Sequence, residues 1–266
     1  MSTFALSISQ MSIRRATTAV VFGCLAVGAW ASSIGAMSRG HAVDRLSVGS
    51  LGFFVVLWVV MMAAMMFPSF WPAVAIYRLV ARRRTAGRAQ EIGRSAMFVA
   101  GYLGSWTVFG LGAFGLLWLA RSSGLGTLSG VEFSRFVIAP VALLAALYQV
   151  APFKRVCLRH CRGPLSFFLR RWQDGPLGAA RLGARHGSYC VGCCWMLMLV
   201  LLAFGVMSVT WMVVVSVAIA IEKLTPGAWS RWADRGLTAG LVVVFLISIV
   251  EPTWLPGGAM AGGGAM

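Results

Sequence analysis

The sequence predicts an all-α, polytopic bundle of transmembrane helices, and three observations carry that prediction. Of 266 residues, 59% are hydrophobic and only 11% are charged, far from the balance of a soluble domain. The charges cluster between long uncharged runs. Those runs approach or exceed the roughly 20 residues needed to cross a hydrocarbon core. A large soluble core could explain one such run but not a series, and no sizeable soluble domain fits in what remains.

Seven spans follow in order: 17–37, 51–77, 96–120, 134–152, 189–206, 208–222 and 236–252. In the first, Arg14-Arg15, an apolar stretch and Ala29-Trp30-Ala31 loosely resemble a secretory signal with its cleavage site. Cleavage would leave six spans and invert none of them. The fifth and sixth spans share a run without charge from His186 to Ile221, too long for one helix of ordinary tilt. The section Gly205–Thr210 can turn the chain there, giving two spans of about 16 residues that just cross a thinned bilayer. Residues 1–256 thus form a single transmembrane domain with a cytoplasmic loop at 153–188, and the Gly/Ala/Met-rich tail 257–266 is expected to be disordered.

Orientation comes from the basic residues. With the N-terminus inside, all of the 23 Lys and Arg except Arg39, Arg45, Arg121 and Arg135 fall on the cytoplasmic side, as the positive-inside rule requires. The net charge of +16 is then topology and contact with anionic lipid. No folded nucleic-acid module accompanies it, so nucleic acid is not an expected partner.

Within the loop, Pro164 can open a helix and Gly175-Pro176 can close it. Leu165, Phe168, Leu169 and Trp172 recur there at helical spacing, with Arg170, Arg171, Gln173 and Asp174 elsewhere on the wheel. The pattern predicts a short helix along the cytoplasmic membrane surface, or equally a lid packed on the bundle.

Around that helix lie Cys157, His160 and Cys161 on one side and His186, Cys190, Cys193 and Cys194 on the other. Both groups fall at one membrane depth on the cytoplasmic side, where thiols are kept reduced. Reduced thiols and imidazoles at short spacing are metal ligands; the alternatives are redox chemistry and plain packing. Cys157-Leu-Arg-His160-Cys161 is not a c-type haem site, which needs Cys-x-x-Cys-His. Cys24 stands apart and reads as a packing residue.

A second soft-ligand feature lies in span two. Met61 with Met65, and Met62 with Met66, are one helical turn apart, so each pair projects from one face. Thioethers are uncharged donors suited to Cu(I), although methionine is also an adaptable core packer. Pro68 and Pro72 would kink this helix and free backbone carbonyls. In span five, Cys190, Cys194 and Met198 fall at successive i, i+4 positions with Cys193 and Met196 on adjacent faces, a stripe of sulfur running inward. Glu222, at the cytoplasmic end of span six, could complete a metal site or accept a proton, or pair locally with Lys223 or a loop arginine. Gln149, beside Tyr148 and before Pro152, is a polar step near the end of span four.

The segment from Tyr148 through Pro164-Leu165 resembles one block of an uncharacterised bacterial family of predicted metal-binding integral membrane proteins. His186-Gly-Ser-Tyr189-Cys190-Val-Gly192-Cys193-Cys194-Trp195 resembles its second block, and Gly205 through Lys223 the continuation. Trp58 through Pro68 is similar to its Met-rich helix. The resemblance covers roughly residues 50–235. It implies a multi-pass protein of the bacterial inner membrane that binds metal, with a loose association with copper and no defined reaction.

Three hypotheses follow. The first is a Cu(I) protein that binds, transfers or transports the ion, with a metal-delivering or metal-receiving protein as partner. The second is a membrane thiol-disulfide enzyme using Cys190-Val-Gly-Cys193, whose thiols a helix N-terminus and nearby arginines would activate. The third is a structural Zn²⁺ site that staples a scaffold for a partner protein. The sulfur stripe favours the first.

Overall fold

The structure is a computed structural model and describes residues 2–38, 51–84, 87–123, 132, 134–204, 209–225 and 229–250. Among these no strand occurs and helix dominates. The helices are α1 (Ser2–Ser38), α2 (Leu51–Arg82), α3 (Arg88–Ser122), a π-helical turn Ser134–Ile138 running into α4 (Ala139–Val150), α5 (Pro152–Arg162), α6 (Pro164–Arg171), α7 (Gly175–Ala203), α8 (Val209–Leu224) and α9 (Trp229–Val250). Five are long and apolar enough to cross a membrane: α1, α2, α3, α7 and α9. The bent pair 135–150 and 152–162 makes a sixth if it is one span. α8, with 16 residues, is shorter than these.

Within the described residues the seven expected segments lie on helices, each with bounds that differ from those expected. The fifth begins at Gly175 instead of residue 189, because a helix continues past the apolar run that marks its core; Arg181 and Arg185 ride on its first half. The fourth breaks at Ala151, which is extended (φ −64, ψ 140) because the ring of Pro152 disfavours helical geometry in the residue before it. The chain turns by 66° there. The chain also leaves the helix at Ala203 and resumes it at Val209, bracketing the expected turn at Gly205–Thr210; residues 205–208 lie outside the described residues, as does the tail 257–266.

The segment expected as a loop at 153–188 is helical over most of its length. Gly175-Pro176 does not close the short helix but opens the long one. Gly175 takes φ +84, a conformation only glycine adopts without strain, and proline is at home in a first turn. α6 ends earlier, at Arg171. Its inward face is Pro164, Phe167 and Phe168, while Leu165 and Leu169 are exposed. Trp172 stacks on Tyr77 with centroids 5.4 Å apart.

Backbone contacts separate two units, 1–46 with 50–109 and 159–191, and 47–49 with 110–158 and 192–266. In the first, α1 packs along α2, and α6 against α2. α2 runs unbroken through Pro68 and Pro72 and buries Phe54, Trp58, Met61, Met62, Met65, Met66, Phe70 and Tyr77. In the same unit α3 and α7 meet at backbone distance: a Cβ on Gly101 would run into the Ala180 carbonyl, and one on Gly183 into the Phe98 carbonyl. Small residues permit such approach between apolar helices. Ser105 Oγ donates to the Ala184 carbonyl across the seam at 2.8 Å. In the second unit α9 packs on α4 and on the π-helical turn.

Candidate metal site

The site is built on one turn of α7. Its sequence Cys190-Val-Gly-Cys193-Cys194 spaces the three cysteines by three and four residues, which a helix folds onto one side. The sulfur atoms lie within 4.8 Å of one another, and all three residues are buried. No disulfide joins them. Three soft sulfur donors this close can converge on one soft ion with small rotamer changes. Met198, a turn further along, is 1% exposed.

Cys157 approaches from α5. Its Sγ sits 2.8 Å from where a Cβ on Gly192 would stand, so a glycine at this position gives the sulfur its place against α7. Tyr148 on α4 donates its hydroxyl to the Gly192 carbonyl and sets its ring edge-on to Trp195 at 5.4 Å. A thiol such as Cys157 gives up its proton when it binds a metal ion. Gly192→Ala is expected to overpack this contact, lowering stability by about 1–3 kcal/mol in thermal unfolding; an unchanged midpoint would mean that Cys157 has room to move.

Among the described residues, the three-cysteine turn is the group of His, Cys, Asp or Glu that closes to such spacing; Cys157, Cys161, His160 and His186 stand outside it. His160 stacks on Tyr189 at 4.2 Å with the rings nearly parallel, and Phe167 meets it edge-on. His186 is 3% exposed and lies among Phe70, Phe98, Tyr102 and Phe168. Cys161 is half-buried on α5. Met61, Met62, Met65 and Met66 are between 0% and 3% exposed on α2, so these thioethers face protein.

Glu222 forms an ion pair with Lys154, Nζ to Oε1 2.6 Å, with both side chains buried. Gln149 bridges them: its Nε2 donates to Glu222 at 3.0 Å, and its Oε1 accepts from Lys154. Lys154 was not among the residues singled out by sequence, because it opens a basic stretch that reads as topology. Its signal is its place two residues after Pro152, where the bend in the chain turns it inward.

Long apolar helices carrying a buried turn of three thiols define a protein equipped to hold a soft metal ion. Residues 55–248 match the model of the PpoB2 family, described as copper chaperone, and the chain belongs to that family. Comparisons with curated proteins and with solved structures gave no match.

Proposed function

We propose that this chain is an integral membrane protein that binds Cu(I) at the Cys190, Cys193 and Cys194 turn and passes it on, in the inner membrane of a bacterium. The observation that carries the reading is the buried three-thiol turn, within 4.8 Å, in a chain of a copper chaperone family. Thiolates are the preferred ligands of Cu(I). Two thiolates around a monovalent cation leave one net negative charge to bury and three leave two, so an apolar helix favours two thiolates with the third cysteine kept as a neutral thiol.

Cys157 is the fourth candidate donor, brought by α5 to Gly192 beside the triad. Cys161, His160 and His186 serve the surrounding packing or a transient hand-over, and the buried methionines of α2 form a second soft-donor segment along a route. The helices α1, α2, α3, α7 and α9, with the bent pair, supply the spans. The basic residues of the cytoplasmic side hold the orientation, and a copper-delivering or copper-receiving protein docks there.

The test is metal stoichiometry in protein purified without oxygen. Wild type should retain about one Cu(I) per chain against a moderate thiol competitor. The variant with Cys190, Cys193 and Cys194 all replaced by Ser should lose at least ten-fold in affinity, since a hydroxyl is a poor ligand for a soft ion. Equal copper in the two proteins would refute the site. Preferential, tight retention of Zn²⁺ by the wild type would favour the structural reading instead.

A further inference from the structure

We propose that Tyr102 is a positioning residue for the copper thiols, fixing Cys190 through a hydroxyl–sulfur hydrogen bond and donating to that sulfur when it carries Cu(I). The inference rests on the copper reading above and assigns a role to a residue outside the metal ligands.

Tyr102 is 0% exposed, and its hydroxyl lies 3.0 Å from Cys190 Sγ. A buried phenol requires a polar partner. Here that partner is a candidate ligand atom. The phenol is held from several sides. Phe70 of α2 stacks on its ring with centroids 3.8 Å apart and planes 10° from parallel. The backbone beneath it is pinned by the α3–α7 seam, where a Cβ on Gly187 would stand 2.8 Å from the Tyr102 carbonyl. The helices are close enough for the hydroxyl to reach Cys190 because Gly101, Gly183 and Gly187 carry no side chain.

The direction of this hydrogen bond follows the loading state. In the metal-free protein either atom can donate. Once Cys190 has released its proton to bind Cu(I), sulfur can only accept, and the tyrosine must donate. The phenolic hydrogen rotates, and no heavy atom has to move. A donor on a metal-bound thiolate draws charge from it. It lowers the energy of the sulfur lone pairs. Phe70 ties the same phenol to α2, one turn beyond Met66, so Tyr102 joins the methionine-bearing helix to the first thiol of the site.

Tyr102→Phe removes the hydroxyl and keeps the ring. Hydrogen bonds to charged groups are strong enough that its loss should weaken Cu(I) retention roughly tenfold. The ultraviolet Cu(I)–thiolate charge-transfer band should move to lower energy, a change that loss of packing alone would not cause. A copper-free measurement accompanies it: the infrared S–H stretch assigned to Cys190, by its absence in Cys190→Ser, should shift in the Phe variant. Unchanged affinity and an unmoved band in a copper-loaded variant would overturn the inference while leaving the copper site standing. An affinity loss without a band shift would also overturn it, reducing Tyr102 to packing. A wild-type protein that takes up no Cu(I) would overturn the copper reading, and this role with it.

Discussion

Lys154→Met is expected to lower the stability of the folded protein by about 3–5 kcal/mol, because it removes the ammonium from a buried ion pair with Glu222. Lys154 and Glu222 are 2% and 3% exposed at the side chain, with Nζ 2.6 Å from Oε1, so solvent does little to screen the loss. Glu222→Gln should cost a similar amount by stranding the ammonium. The informative variant removes both charges. Replacing a buried pair by apolar side chains of similar volume is often close to neutral, so Lys154→Met with Glu222→Leu should recover most of the loss. Recovery will be incomplete, since the amide of Gln149 bonds to both partners and would be left unpaired at about 1–3 kcal/mol. Adding Gln149→Leu should remove that residue of destabilisation. Chemical denaturation of the wild type and the four variants measures the series. If the double variant is as unstable as the sum of the singles, the pair does not act as a unit and Glu222 leans on another group.

How much of this was legible in the sequence depends on the kind of feature. The helices were, because apolar run length sets them directly. Their ends were not. Gly175 opens α7 well before the apolar run starts, and a hydropathy reading stops where Arg181 and Arg185 begin to alternate with small residues. Part of the three-thiol turn was legible as helical spacing, since Cys190 and Cys194 are one turn apart; spacing puts Cys193 on an adjacent face, and the structure brings its sulfur within 4.8 Å of the other two. What spacing within one helix cannot give is the partner on another. Cys157 at Gly192, Tyr102 at Cys190 and Lys154 at Glu222 are all long-range pairs. Each has a local cue that gains meaning only once the helices are placed: a glycine among cysteines, a tyrosine one residue from a glycine, a lysine just after a proline. The burial of the α2 methionines was likewise open, because paired spacing says that two residues share a face and not which way the face turns.

That burial sharpens the second large effect expected. Replacing Met61, Met62, Met65 and Met66 together by Leu should leave the three-thiol site able to bind copper in detergent, yet abolish copper passage across sealed vesicles. The reason is chemical. Leu and Met have similar volume, but Leu has no donor for Cu(I), and α2 offers no other run of soft ligands. All four are between 0% and 3% exposed, so the change repacks a core and does not merely alter a lipid-facing surface. Single Leu-for-Met swaps in a core usually cost less than about 1.5 kcal/mol, but adjacent swaps need not add. Thermal unfolding of the variant must therefore come first. If it falls far below wild type, the pairs Met61/Met65 and Met62/Met66 are replaced separately, since one pair is enough to interrupt a route that uses it. Zinc held as a structural staple would be indifferent to these changes, because Zn²⁺ takes Cys, His and carboxylate ligands. Copper passage at the wild-type rate in a folded four-Leu variant would reduce the methionines to packing and confine copper handling to the turn of α7.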